Sequence, residues 1–181
     1  MAASLDSADR GRDLTFRDAV EADLPAVVAI YNATIPGRIV TADLEPVSVE
    51  SRLAWFHAHS PERRPLWVAE RDGTIVGWLS FSDFYGRPAY GSSVEVSIYL
   101  AEAARGAGLG TVLLEHAIAE APALRIRTLL GFIFGHNAPS LRLFESFGFT
   151  RWGTLPRVAS LDGVERDLVI VGLRLDGPDA P

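Results

Sequence analysis

The chain has 181 residues, 48% of them hydrophobic, which is enough for one globular domain with a sizeable core. A net charge of −6 argues against a nucleic-acid partner, and no apolar run is long enough to cross a membrane. The absence of cysteine excludes disulfides and thiolate nucleophiles, and without a signal-peptide core at the start a cytoplasmic setting is expected.

Residues 1–12 and 177–181 read as flexible tails, leaving a single domain over 13–176. Residues 14–17 form a short first strand. Glu21, Ala22 and Asp23 lead into a helix with Leu24, Val27, Val28 and Tyr31 on one side, ending before Pro36 and Gly37. Residues 39–44 show no clear period. A second helix opens at 46–48, runs through Leu53, Trp55 and Phe56, and stops near Pro61. Strands at 66–70 and 74–81 flank Asp72-Gly73, the strongest hairpin signal in the chain. The loop 82–92 follows with Phe84, Tyr85, Arg87 and Tyr90, aromatics that are either surface filler or a substrate wall.

Residues 94–121 are the stretch around which the rest is organised. Val94, Val96, Ile98 and Leu100 share one face of a strand, while Glu95, Ser97 and Tyr99 share the other. Leu109, Val112, Leu113, Ala117 and Ala121 then repeat at helical spacing. Between strand and helix, Gly106, Gly108 and Gly110 keep side chains away, so backbone amides can converge on an anion at the helix start. Arg105 stands at the mouth of this turn. A glycine turn of this kind is either a plain connection or an anion site. It is not a P-loop, which needs a lysine the chain lacks, nor a Rossmann turn, whose third glycine is spaced differently.

Residues 128–134 are a nearly unbroken apolar strand, the pattern of a position deep inside a sheet. Asn137 caps a helix that admits Pro139 in its first turn and ends at Gly148. Two last strands, near 149–155 and 167–175, bracket a turn at Leu161-Asp162-Gly163. The order β-α-α-β-β-β-α-β-α-β-β makes an α/β fold with a mixed central sheet flanked by helices. The four histidines, His57, His59, His116 and His136, do not have metal-ligand spacing, and no metal is expected.

The segment Arg105-Gly106-Ala107-Gly108-Leu109-Gly110 resembles the Arg/Gln-x-x-Gly-x-Gly/Ala turn of the GNAT N-acetyltransferases. The element order is similar to the GNAT fold from Leu14 to Leu175, and Asn137-Ala138-Pro139-Ser140 with Phe147-Gly148-Phe149 resembles that superfamily's N-x-x-S/A…GF segment. Narrower likenesses are to the phosphinothricin N-acetyltransferase-like subfamily: Tyr31-Asn32, Leu53-Ala54-Trp55-Phe56…His59, Arg87-Pro88-Ala89-Tyr90 and Val94-Glu95-Val96-Ser97-Ile98-Tyr99. The resemblance implies an acetyl-CoA-dependent enzyme, commonly a homodimer, that acetylates the α-amine of phosphinothricin, methionine sulfone, methionine sulfoximine or a similar small amino acid. It implies that the turn, including Thr111, and Asn137 with Ser140 hold acetyl-CoA, and that backbone groups at Ile98, Tyr99 and Leu100 pair with its pantetheine arm. It also exposes two departures. Phe144 stands where the family has Tyr or His as a general acid, and Arg157-Val158-Ala159…Glu165-Arg166-Asp167 only loosely follows the family's C-terminal pattern.

Amide formation needs an amine that has lost its proton. Glu95, an acid on an otherwise apolar strand, is the expected acceptor of that proton; the alternative is a carboxylate reaching solvent or an arginine. Arg87 is expected to hold the acceptor's anionic group, with Phe84, Tyr85 and Tyr90 around it, unless it has only a surface role. Two other functions stay open: acetylation of a peptide N-terminus, and a non-catalytic CoA-binding regulatory module.

Overall fold

Two Asp-Gly pairs take positive φ at both residues (Asp72 51°, Gly73 72°; Asp162 50°, Gly163 81°), the handedness that suits a two-residue hairpin. The first joins β2 (Leu66–Arg71) to β3 (Thr74–Asp83), and the second joins β6 (Thr150–Leu161) to β7 (Val164–Arg174). These hairpins belong to a computed structural model that describes residues 14–175, so both expected tails lie outside the described residues. With β1 (Thr15–Asp18), β4 (Ser93–Leu100) and β5 (Thr128–Phe134) they form one seven-stranded sheet in the order β1-β2-β3-β4-β5-β7-β6. Only β4 and β5 run parallel; the other neighbours are antiparallel. The mixed sheet and element order are as expected from the sequence.

Helices cover both faces. On one lie α1 (Leu24–Asn32) and α2 (Val49–His57); on the other lie α3 (Leu109–Glu120) and α4 (Ala138–Ser146). The period of two decides which strand residue meets which layer. Trp67, Ala69, Leu79, Phe81, Val94 and Val96 join Leu109, Leu113 and Leu114 of α3 in the main core. Leu66, Val68 and Trp78 point the other way and pack with Val27 and Ile30 of α1. Each buried aliphatic side chain of this kind contributes roughly 1.5–3 kcal/mol of transfer free energy.

The boundaries of the last two strands and of the second helix differ from expectation. The last two strands run right up to the Asp162-Gly163 turn, because a register shift between Leu155 and Ala159 absorbs Pro156 and lets pairing resume beyond it. The second helix starts at Val49, one residue after Ser48, whose hydroxyl accepts from the Ser51 amide. It ends at His57, so His59 lies in the turn that follows. The segment 38–43 is neither helix nor strand.

Gly77 is where β3 admits its neighbours most closely. A Cβ there would lie 2.8 Å from Leu100 Cδ2 and 2.9 Å from the Tyr99 carbonyl oxygen. Gly77→Ala is therefore expected to destabilise the fold by about 1–3 kcal/mol, the range for overpacking. A urea titration with a lower midpoint and an unchanged slope would show it; an unshifted midpoint would mean β3 and β4 yield freely.

Candidate active site

β4 pairs with β5 only at its start, with Ser93, Val94 and Glu95 opposite Thr128, Leu129 and Leu130. Past that point β5 stays with β7 as far as Phe134, and β4 stays with β3 as far as Leu100. The two parallel strands thus part in the middle of the sheet. The Ala101 amide donates to the Val76 carbonyl at 2.9 Å, so alternation along β4 turns the backbone groups of Val96, Ile98 and Leu100 toward the gap, whereas those of Tyr99, expected to face it, turn toward Trp78 of β3. The Leu100 carbonyl accordingly accepts from Arg105 Nε at 3.4 Å. Unpaired strand groups of this kind are a template for an extended ligand with amides of its own.

A cavity of about 440 Å³ fills the parting. Ile98, Tyr99 and Leu100 form one side, and Arg105, Gly106 and Gly110 one end. Ser140 and Phe144 come from α4 and Asn137 from its N-cap, and Ile39 and Val40 from the segment before α2. Gly106 and Gly108 both take φ of 77°, a conformation that L side chains rarely adopt, and Gly108 is the N-cap of α3. The first-turn amides of this helix lie at the positive end of its dipole, and that of Thr111 donates to the carbonyl of the N-cap Gly108 at 3.1 Å. Ala107, Gly108, Leu109 and Thr111 do not line the cavity, and the Leu109 side chain is wholly in the core. Asn137 is buried and its side chain is already engaged: Oδ1 accepts from the Ser140 amide at 3.2 Å, and Nδ2 donates to the Ile39 carbonyl at 3.3 Å. Phe144 packs against Phe149 with ring centres 4.9 Å apart. A Cβ on Gly131 would meet the Phe144 ring at 2.8 Å, so this glycine is what lets the ring sit on β5.

A second cavity, about 260 Å³, lies on the α1–α2 face of β3 and β4. Its floor is Trp78, Ser80, Ser82, Glu95, Ser97 and Tyr99, and Tyr31, Arg52 and Trp55 wall it from the helices. Glu95, Ser97 and Tyr99 line both cavities. Burial pushes the Glu95 carboxyl above its usual range, and a hydrogen bond from Ser97 offsets this only in part. Burial likewise raises the Tyr99 phenol well above its ordinary value, as it does Tyr31, whose hydroxyl donates to Asp43. Arg52 is the cation of this cavity; its guanidinium carbon lies 4.7 Å from the Tyr31 ring centre and its Nη2 2.9 Å from Asp43 Oδ2.

Phe84, Tyr85, Arg87 and Tyr90 line neither cavity. Phe84 packs on Tyr85, Tyr90 and Phe132, with ring centres 5.2, 5.5 and 6.3 Å away, and Arg87 is exposed. Arg52 was not among the expected site residues. Its signal was present: it lies one position before Leu53-Ala54-Trp55-Phe56 and three before Trp55, on the same side of a helix. Among the described residues no group of three metal-ligating side chains occurs, and no helix is long and apolar enough to cross a membrane.

A profile of the acetyltransferase (GNAT) family matches residues 26–149. The chain belongs to the GNAT acetyltransferase family. A Bacillus subtilis relative named "Putative phosphinothricin acetyltransferase YwnH" is 55% identical over 163 residues, 90% of this chain and 99% of its own. An L-methionine sulfoximine/L-methionine sulfone acetyltransferase of Salmonella typhimurium is 34% identical, covering 93% of this chain and 98% of its own. The crystal structure of a GNAT phosphinothricin acetyltransferase from Sinorhizobium meliloti in complex with AcCoA superposes with a TM-score of 0.86 at 30% identity, over 93% of this chain and 92% of that one. The GNAT fold expected from the sequence is therefore the fold of this enzyme.

Glu95 has a stability consequence as well. Its folded-state pKa lies above its unfolded value, so ionising it costs folding energy, a cost absent below about pH 4.3 and incurred as pH rises through the raised value. Glu95→Gln is expected to melt higher than the parent at pH 8, with the difference vanishing near pH 4. An equal or lower melting temperature at pH 8 would show the carboxylate to be solvated or paired.

Proposed function

We propose that this enzyme uses acetyl-CoA to acetylate the α-amine of a small amino acid or analogue of the phosphinothricin, methionine sulfone or methionine sulfoximine type. The observation that carries the reading is the meeting of two cavities on Glu95, Ser97 and Tyr99. One has the parted strand edge and glycine turn that suit a pantetheine arm and a pyrophosphate. The other is compact and holds one carboxylate and one guanidinium, the complement of a zwitterionic amino acid.

Bound acetyl-CoA supplies a thioester carbonyl for the amine to attack. The backbone of Val96, Ile98 and Leu100 holds its pantetheine amides, and the amides at the start of α3 with Arg105 face its phosphates. Glu95 takes the proton from the acceptor's ammonium, leaving the lone pair that forms the amide bond; burial makes it a stronger base than an exposed glutamate. Arg52 pairs with the acceptor's carboxylate through N–H donors that Asp43 does not occupy. The three serines of the floor present hydroxyls to the acceptor's polar side chain. Phe144 holds no proton to give; the leaving sulfur departs as a thiolate, whose conjugate acid has a pKa near ~8.5 in a simple thiol, and the second proton that the nitrogen sheds as the amide forms passes to that thiolate or to solvent. Arg87, exposed and lining neither cavity, takes on this reading the surface role that was its alternative.

The relatives' assignments support the acceptor class, and the reading extends to a cytoplasmic homodimer. Trp152, Leu155, Val158 and Val164 are exposed apolar side chains on the last hairpin, a face of the kind that a second copy covers. Light scattering at the mass of one chain would remove the dimer.

The deciding experiment is CoA release over a panel of amino acids, their amides, amino-acid analogues and short peptides. Turnover confined to peptides would sink the small-acceptor reading, and acetyl-CoA binding without turnover of any acceptor would favour a regulatory module. Glu95→Gln should lower turnover on the order of 10²–10⁴-fold without loss of acetyl-CoA binding, and the deficit should shrink at high pH, where free amine abounds. Arg52→Ala should raise KM for an amino acid by roughly 10–100-fold and for its amide far less. Equal increases would show that Arg52 does not read the carboxylate.

A further inference from the structure

We infer that Asp43 is a positioning residue for the acceptor: it fixes Arg52 and Tyr31 for the incoming anionic group without touching that group itself. The inference rests on the reading of Arg52 given above. Asp43 lines neither cavity, yet one of its oxygens, Oδ2, accepts from both Arg52 Nη2 at 2.9 Å and the Tyr31 hydroxyl at 2.5 Å. The guanidinium of Arg52 in turn lies over the Tyr31 ring, 4.7 Å from its centre. Arginine, aspartate and tyrosine thus close a triangle in which each group is held by the other two. Thr41 seals the far side, with its hydroxyl hydrogen-bonded to the Tyr31 hydroxyl and accepting from the Asp43 amide at 3.3 Å.

This arrangement removes two freedoms that would otherwise oppose binding. An arginine side chain is long and rich in rotamers, and one anchored at a single nitrogen keeps its remaining donors aimed in one direction. The tyrosine ring under it is held by its own hydroxyl, so the surface on which the guanidinium rests cannot swing away. Asp43 is itself held by a strap that has no regular structure. The Arg38 carbonyl accepts from His136 Nε2 at 2.8 Å, and the Ile39 carbonyl from Asn137 Nδ2 at 3.3 Å. The Arg38 guanidinium pairs with Asp162 at 2.7 Å and donates to the Leu44 carbonyl at 2.8 Å. The segment 38–44 is therefore fastened on both sides of Asp43, at a site outside the acceptor cavity.

The test is a double-mutant cycle of Asp43→Ala and Arg52→Ala, read as KM and kcat for an amino acid that the panel identifies and for its amide. In the parent background Asp43→Ala is expected to raise KM for the amino acid roughly 10-fold, the scale of one charge-assisted hydrogen bond, with kcat and the KM for acetyl-CoA changed less than about 2-fold. The amide should be nearly indifferent. In the Arg52→Ala background the same change should add nothing further, because the group it acts through is gone. Asp43→Asn, which keeps the shape and an acceptor oxygen, should recover part of the loss and stands in if the alanine variant does not fold. Multiplying effects in the two backgrounds, equal losses for acid and amide, or an unchanged KM would each overturn the role of Asp43 while leaving that of Arg52 intact. An Arg52→Ala variant with parental KM for the amino acid would instead remove the reading of Arg52, and the positioning role with it.

Discussion

The parting of β4 from β5 is the constraint on which the site depends. A strand that loses its neighbour in mid-sheet leaves backbone groups without partners, and buried groups in that state are costly. Here the parting is imposed by the rest of the sheet: β3 holds β4 through Leu100, and β7 holds β5 through Phe134, so neither strand can drift back to the other. The ring of Phe144, admitted by Gly131, occupies part of the space between. What remains has an amide-lined edge, a glycine turn at one end and Glu95 at the other end of β4. The sheet has given up a few hydrogen bonds to keep a slot of fixed width.

The second requirement is a carboxylate in an unfavourable place. Glu95 is held among Tyr99, Trp78 and three serines, and the cation sharing its cavity is engaged by Asp43 instead. An arginine paired directly with Glu95 would pull its pKa down and make it a poor base. Separating the two charges, each with its own hydrogen-bond partners, lets one cavity hold both a carboxylate and a guanidinium, the pair on which the proposed function rests. The hydroxyl of Ser97 is too weak a partner to cancel the effect of burial.

Much of this was legible in the chain, because it depends on local rules. The alternation along 94–100 places Glu95, Ser97 and Tyr99 on one face, and the Asp-Gly turns and the glycine run mark where strands reverse and where α3 begins. Arg52 was harder to find since α2 buries none of its residues fully, so its inward side has little apolar signature. The aromatic loop reads as a pocket wall in the sequence, and in the structure Phe84, Tyr85 and Tyr90 pack on one another outside both cavities. The strap at 38–43 could not be read from its own residues. Its course is set by His136, Asn137 and Asp162, about a hundred or more positions away, and Arg38 even takes a left-handed φ of 51° to follow it. The parting of the strands is likewise a property of sheet order, not of any segment.

The last hairpin also bears on how the sheet's edge avoids adding further strands. β6 is twelve residues long, lies at the edge of the sheet and is exposed over nearly its whole length. Such an edge invites another strand to add to it and, from there, growth into fibrils. Pro156 interrupts it with a residue that has no N–H to offer, and Arg157, at φ 52°, turns its own amide inward to Asp167 Oδ1. The register shift at this point splits the edge into two short runs that no single straight strand can match at once. The irregularity that blurred the end of this strand in the sequence is thus a gatekeeper against aggregation, in a hairpin whose apolar side chains would otherwise promote it.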